Sequence, residues 1–244
     1  MERRVAIVTG GSRGIGAATA RRLAVDGFAV AVGFRTGAKE AADVVTEITD
    51  GGGVAIAVQA DVSIPDSCAA AIAQVKERLG RIDVLVNNAG IFIQRRFADI
   101  DPAFFDQMFH TNVLGPLTLM QSCFPHLGEG GRIINVLSTL AIEPLPTQSV
   151  YAATKAALRA LTQAHAKDFG RIGATINAVA PGVILTDMMK NAPPEALARV
   201  ASETAAGRVG QPEDIAPIIA FLASPQSAWL NGRMLAADGG RTVY

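Results

Sequence analysis

Val5-Ala6-Ile7-Val8-Thr9-Gly10-Gly11-Ser12-Arg13-Gly14-Ile15-Gly16 is the stretch on which the fold turns. Val5 to Val8 reads as a short apolar strand, the glycines as a sharp turn, and Ile15 to Val25 carries apolar residues at helical spacing. Glycine lets the backbone approach an anion closely, and the helix that follows offers free N–H groups and the positive end of its dipole. The spacing is G-x-x-x-G-x-G rather than the commoner G-x-G-x-x-G, and in isolation it fits a plain tight turn as well. Between a strand and a helix it points to a pyrophosphate-binding turn. Gly10, Ser12, Arg13, Gly14, Ile15 and Gly16 are its candidate contacts.

The same rhythm continues outward. Phe28 to Val32 is the next strand and Ala38 to Ile48 the next helix. Val54 to Val58, Val84-Leu85-Val86, Ile133 to Leu137 and Ala174 to Val179 repeat the strand signal. Near-continuous apolar strands suit a parallel sheet covered on both faces, and their alternation with helices indicates a doubly wound α/β fold with right-handed crossovers. No Pro-rich hinge or low-complexity linker divides residues 1–244, so one domain is expected. Residues 187–211 break the rhythm. They look helical but weakly anchored, as a lid over a pocket is, and a plain surface excursion is the other reading.

Composition narrows the class. The chain is 50% hydrophobic and 18% charged, enough to bury a sizeable core, and its 22 basic residues balance 22 acidic ones. That balance points neither to nucleic acid nor to an anionic membrane surface. Cys68 and Cys123 match no metal or redox spacing and read as buried thiols. His110, His126 and His165 form no metal-ligand spacing either, so no metal is expected. The short run Val5 to Val8 is no signal-peptide core, and no apolar stretch nears the ~18 residues that span a bilayer. A cytoplasmic, soluble protein is the expectation.

The end of the second strand selects between dinucleotides. An acidic residue there binds the 2′-hydroxyl of NAD and repels a 2′-phosphate. The chain reads Val32-Gly33-Phe34-Arg35-Thr36, with no carboxylate. Arg35 and Arg13 together can clamp a 2′-phosphate, with Phe34 beside them, so NADP(H) is preferred and NAD(H) remains possible.

Tyr151-Ala152-Ala153-Thr154-Lys155 opens a helix expected to run to about Phe169. Residues at i and i+4 share a face, so phenol and ammonium can meet in one site. A free phenol titrates near ~10, and a neighbouring cation lowers that value. Taken alone the pair is unremarkable. Ser138, just after the strand Ile133 to Leu137, lies on the side of such sheets where ligands bind, and its hydroxyl can hold a carbonyl oxygen.

With these residues assembled, the chain resembles the classical short-chain dehydrogenases/reductases. The resemblance runs through Thr9 to Gly16, Asp61-Val62, Asn87-Asn88-Ala89-Gly90, Asn112, Ser138, Tyr151, Lys155, Pro181-Gly182, Thr186-Asp187 and Asp238-Gly239-Gly240. It implies a Rossmann-type, seven-stranded parallel sheet. It implies catalytic roles for Ser138, Tyr151 and Lys155, and a water-holding role for Asn112 in proton relay. It places Asp61 and Val62 at the adenine, and Asn88, Ala89 and Gly90 along the adenosine and ribose path, with Asn87 bracing the sheet. Tyr151 and Lys155 also contact the cofactor, and Pro181, Gly182, Val183, Ile184 and Thr186 flank the nicotinamide. A homotetramer, or a dimer, is implied as the assembly.

Substrate is less legible. Ile91, Phe92, Thr139, Leu140, Leu145, Val183, Ile184, Met188 and Met189 suggest an apolar pocket for a small ketone or aldehyde. A 3-oxoacyl-[acyl carrier protein] reductase is the alternative. An acidic carrier needs a basic docking patch, and here only Arg132, Arg95 and Arg96 offer one. A non-catalytic NADP(H)-binding sensor and an NAD-dependent alcohol dehydrogenase are further alternatives.

Overall fold

The computed structural model describes residues 3–189 and 192–242. Seven strands form one parallel sheet in the order β3-β2-β1-β4-β5-β6-β7. They are β1 (Val5–Val8), β2 (Ala29–Phe34), β3 (Val54–Gln59), β4 (Val84–Asn87), β5 (Arg132–Val136), β6 (Thr175–Pro181) and β7 (Met234–Ala237). The order reverses between β1 and β4, which is where a doubly wound sheet opens a crevice for a ligand. The expected Rossmann-type fold is what the chain adopts.

Alternate strand residues feed opposite cores, because successive side chains point to opposite faces. Val8, Val30, Val32, Val86 and Ile134 pack against α1 (Gly14–Val25), α2 (Ala38–Asp50) and α9 (Pro212–Ala223). Val5, Ile7, Ala31, Leu85 and Ile133 pack against α3 (Pro65–Leu79) and α5 (Gly115–Cys123). With both faces covered, most strand residues are apolar, and the sequence shows runs rather than alternation.

Two helices depart from the sequence reading. The segment from Tyr151 is not one helix to Phe169 but α6 (Ser149–Ala164) and α7 (Ala166–Arg171), broken at His165. The break turns Phe169 inward, where it is buried edge-on against Phe124 at 5.3 Å between centroids. Between α4 (Pro102–Phe109) and α5, His110–Leu114 forms a π turn that keeps the two continuous. Gly115 follows because the helix presses against the turn after β3; a Cβ there would stand 2.6 Å from the Val62 carbonyl oxygen.

The excursion expected at residues 187–211 contains a turn at Asp187–Met189 and α8 (Pro194–Glu203); Lys190 and Asn191 lie outside the described residues. Its ends are pinned together. Leu185 N donates to the Gly210 carbonyl at 2.9 Å and Gly210 N to the Val183 carbonyl at 3.1 Å.

Leu23 and Ile219, both fully buried, sit in the core that α1 and α9 share. Leu23→Ala should lower unfolding free energy by about 2–5 kcal/mol in a urea titration, since a packed core does not refill such a cavity.

Candidate active site

The glycine turn is shaped by its neighbours. Gly10 and Gly14 have φ of +62° and +51°, values that favour glycine. A Cβ on Gly16 would stand 2.1 Å from the Gly10 carbonyl oxygen, so only glycine fits there. Thr9 and Asn88 lock the turn to the end of β4. The Thr9 hydroxyl accepts from Asn88 N and Ala89 N, each at 3.0 Å, and donates to the Val86 carbonyl. Asn88 Nδ2 donates to the Thr9 and Gly10 carbonyls at 2.9 and 3.1 Å. Asn88 thus builds the turn rather than only lining a path. Asn87 braces the sheet as expected, donating to Asn135 Oδ1 at 2.9 Å.

No side chain caps the N-terminus of α1, whose N-cap is Arg13, so its first-turn N–H groups are left to a ligand. Ser12 is buried, and Ile15 packs against the core. Phe34 also packs on that core, at the end of β2. Arg35 reaches Asp61 at 3.9 Å, and Arg13 reaches Asp187 at 3.2 Å. Burial alone would raise the Asp61 carboxyl, yet hydrogen bonds from Ser63 and the charge of Arg35 hold it below its ordinary value. Val62, next to it, is buried.

Ser138, Tyr151 and Lys155 converge at the C-terminal ends of β5 and β6. Ser138 caps the short turn Thr139–Ala141, its Oγ accepting from Leu140 N at 3.2 Å. Lys155 is buried; Nζ donates to the Val136 carbonyl at 2.7 Å and lies 5.6 Å from the centroid of the Tyr151 ring. Burial lowers the Lys155 ammonium to about 8. Burial also pushes the Tyr151 phenol up, opposed by a hydrogen bond with Ser138. The expectation that Lys155 lowers the phenol's pKa is therefore not met by the chain's own groups, because desolvation outweighs a cation turned toward a carbonyl.

Asn112 lies in the π turn and is fully buried. Its side chain is committed: Oδ1 accepts from Ile91 N at 2.9 Å, and Nδ2 donates to Ile91 O at 2.9 Å and to Thr154 Oγ1 at 3.2 Å. A Cβ on Gly90 would lie 3.1 Å from Asn112 Oδ1 and 3.7 Å from Lys155 Nζ, so Gly90 lets the two elements close on each other. Thr9 and Thr154 are the contributors that the sequence reading gave no role of their own; a threonine beside a motif carries no signal of which backbone it ties.

Pro181 ends β6, and a Cβ on Gly182 would stand 2.7 Å from that of Asp238. Thr186 abuts the glycine turn, its Cγ2 3.1 Å from where a Cβ on Gly14 would sit. Val183 and Ile184 line a cavity of about 250 Å³ with Thr204, Ile215 and Ala236, so their side chains face the α9 side of the excursion. Around Tyr151, Phe92 packs edge-on at 4.9 Å between centroids, and Ile91 joins Phe104, Met108 and Val150. Thr139 is buried, Leu140 half-buried and Leu145 exposed; Met189 is half-buried, and the Met188 side chain lies outside the described residues. Arg95 N donates to the Thr147 carbonyl at 2.8 Å, tying the loop after β4 to the loop before α6.

Of the candidate docking cations, two are ion-paired at the surface and one is buried. Arg95 pairs with Asp101 at 2.8 Å and Arg96 with Asp99 at 2.7 Å, while Arg132 is only 4% exposed. Among the described residues no group of three or more His, Cys, Asp or Glu could hold a metal ion, and no helix is long and apolar enough to cross a membrane.

Two measurements follow from this geometry. Thr147, at φ +64°, is the only described non-glycine residue in the left-handed region. Thr147→Gly should therefore be more stable than Thr147→Ala by about 1–2 kcal/mol in denaturant titrations. Lys155 titrates near 8 when folded and at its ordinary 10.5 when unfolded, so between these values the unfolded chain binds more protons. The cost of burying that charge is fully present below about pH 8, and stability rises above it. The Cys68 and Cys123 thiols, pushed up by burial, oppose this from about pH 8.5 upward, and the phenol, titrating near ~10 when unfolded, from there upward. The urea midpoint of the cofactor-free wild type, taken relative to that of Lys155→Met so that the shared thiols cancel, should climb between about pH 7.5 and about pH 9.5; a flat difference removes the shift.

Residues 10–242 match the protein family described as enoyl-(acyl carrier protein) reductase. An uncharacterized oxidoreductase of Methylorubrum extorquens is 41% identical over 243 residues, covering 98% of each chain. Versicolorin reductase of Emericella nidulans is 37% identical, covering 98% of this chain and 96% of its own. The 3-oxoacyl-[acyl-carrier-protein] reductase of Staphylococcus aureus is also 37% identical, covering 96% of each. A dehydrogenase/reductase from Sinorhizobium meliloti superposes with a TM-score of 0.96 at 42% identity, over 100% of this chain and 96% of that one. A short-chain dehydrogenase from Burkholderia cenocepacia, solved in complex with NADP, gives 0.94 at 41%, over 100% and 99%. With its parallel sheet, glycine turn and Ser138-Tyr151-Lys155 cluster, the chain belongs to the short-chain dehydrogenase/reductase family of oxidoreductases.

Proposed function

We propose that this protein reduces a ketone or aldehyde to an alcohol with NADPH, Tyr151 giving the proton. The observation that carries the reading is the convergence of Tyr151, Ser138 and a buried Lys155 beside the uncapped glycine turn. The turn fits a dinucleotide: Gly10 and Gly14 hold positive φ, Gly16 admits no Cβ, and no side chain caps the N–H groups that the α1 N-terminus offers to a pyrophosphate. Arg13 and Arg35 would hold the 2′-phosphate and Asp61 with Val62 the adenine, while Thr186 and the main chain of Pro181, Gly182, Val183 and Ile184 would flank the nicotinamide. The absence of a carboxylate at Phe34 favours NADP(H) over NAD(H).

The bound cofactor supplies the hydride to the carbonyl carbon. Tyr151 donates its proton to the carbonyl oxygen, and Ser138 hydrogen-bonds that oxygen and orients it. Burial keeps the phenol protonated and ready to give, while Lys155, titrating near 8, can return a proton at neutral pH. Because both ends of the Asn112 side chain are taken by Ile91, a relay water would fall to its main chain in the π turn.

Identity alone does not choose the substrate, since versicolorin reductase and the carrier-protein reductase are equally similar. The buried Arg132 weighs against docking an acidic carrier, and the apolar surround of Ile91, Phe92 and Leu145 suits a free apolar carbonyl. A complete trio weighs against a sensor without turnover. A homotetramer or dimer accords with β7 as a half-buried edge strand and with a Trp229 that is 98% exposed. Two buried free cysteines accord with a cytoplasmic setting.

Tyr151→Phe should lower kcat with NADPH by about 10²–10⁴-fold while NADP⁺ affinity is kept. A near wild-type rate sinks the assignment. Turnover confined to a 3-oxoacyl thioester in a panel of ketones and aldehydes restores the carrier-protein reading.

A further inference from the structure

Arg13 stands between two parts of the molecule that a dinucleotide would join. Its Nη1 lies 3.2 Å from Asp187 Oδ2. Its Nη2 lies 2.8 Å from the point where a Cβ on Gly37 would stand, at the start of α2 and just past Arg35-Thr36. One guanidinium thus reaches both the turn after β2 and the Asp187–Met189 turn that opens the excursion. Glu40 also faces Gly37, its Oε2 2.9 Å from the same point. The Arg13 and Asp187 side chains are about half exposed. The backbones behind them already touch, Thr186 lying against Gly14.

We propose that Asp187 is a cofactor-selectivity residue whose carboxylate holds, in the free protein, the guanidinium that a 2′-phosphate needs. The proposal rests on the reading of Arg13 as a 2′-phosphate ligand. An exposed ion pair is weak, whereas a phosphate brings more charge and several acceptor oxygens to the same planar fork. A phosphate-bearing dinucleotide therefore exchanges one anion for another at Arg13 and unties the Asp187–Met189 turn. NAD⁺ carries no such phosphate and leaves the pair closed. Asp187 therefore costs NADP⁺ affinity while leaving NAD⁺ binding untouched, and removing the carboxylate helps NADP⁺ only.

Calorimetric titration of NADP⁺ and NAD⁺ into wild type, Asp187→Asn, Arg13→Ala and the double variant tests this. Asp187→Asn is isosteric at an exposed position and should leave the fold intact. It should tighten NADP⁺ binding about two- to five-fold, the scale of an exposed ion pair, and leave NAD⁺ unchanged. In the Arg13→Ala background the same substitution should change nothing. Unchanged or weakened NADP⁺ binding overturns the proposal, as does an equal gain for NAD⁺. A gain that persists without Arg13 overturns it as well, since Asp187 would then act by repelling the phosphate directly. Full NADP⁺ affinity in Arg13→Ala alone would instead remove the assignment of Arg13 to the phosphate, a failure distinguishable from the others.

Discussion

A strand that ends inside a protein leaves carbonyl oxygens that still need donors, because a buried unpaired carbonyl is costly. In this chain the donors that meet that need are the parts of the site. The Gly33 carbonyl at the end of β2 takes the N–H of Gly11, and the Val86 carbonyl takes those of Thr9 and Asn88. The Val136 carbonyl takes the ammonium of Lys155, and the Ala237 carbonyl takes the N–H of Gly182. Glycine turn, lysine and the loop after β6 are therefore positioned by the requirement that closes the sheet. A change at one strand end is felt by a functional group without any intermediary.

Charge in the site divides by depth. Lys155 is inside, where desolvation outweighs the attraction of nearby dipoles and moves its titration toward neutrality. Arg13 and Arg35 are outside, half-solvated and paired with carboxylates, where each interaction is weak and exchangeable. The two regimes suit two tasks. Proton transfer needs a group whose charge is expensive to hold, and recognition of a mobile anion needs groups that can let go of their partners.

Strand runs, the glycine turn and the Tyr151-Lys155 spacing were legible in the sequence because each is a local pattern with one dominant physical cause. The break at His165 was not, since residues 149–171 keep a helical character throughout and the bend serves the burial of Phe169 against the distant Phe124. Nor was the π turn around Asn112, whose side chain is fixed by Ile91 from another loop. The direction of the Tyr151 shift was misread for a similar reason. Spacing says that a cation is near, but only burial says whether its field or the lost water dominates. Arg132 shows the limit for charge: sequence counts cations, and burial decides which remain available.

The pinned ends of the excursion carry a different consequence. Ile184 and Gly210 form a parallel bridge, and hydrogen bonds join Leu185 to Gly210 and Gly210 to Val183. The piece between is tied at further points: Ala206 N donates to the Gly239 carbonyl at 3.0 Å, Arg241 pairs with Glu203 at 2.7 Å, and Arg13 pairs with Asp187 at 3.2 Å. Its length can still grow between those points without moving a strand, because closing a longer loop across a fixed gap adds little entropy. The architecture therefore sets a fixed frame beside an adjustable one: the strand ends hold Ser138 and Lys155 in place, while the looped-out piece can lengthen between its ties.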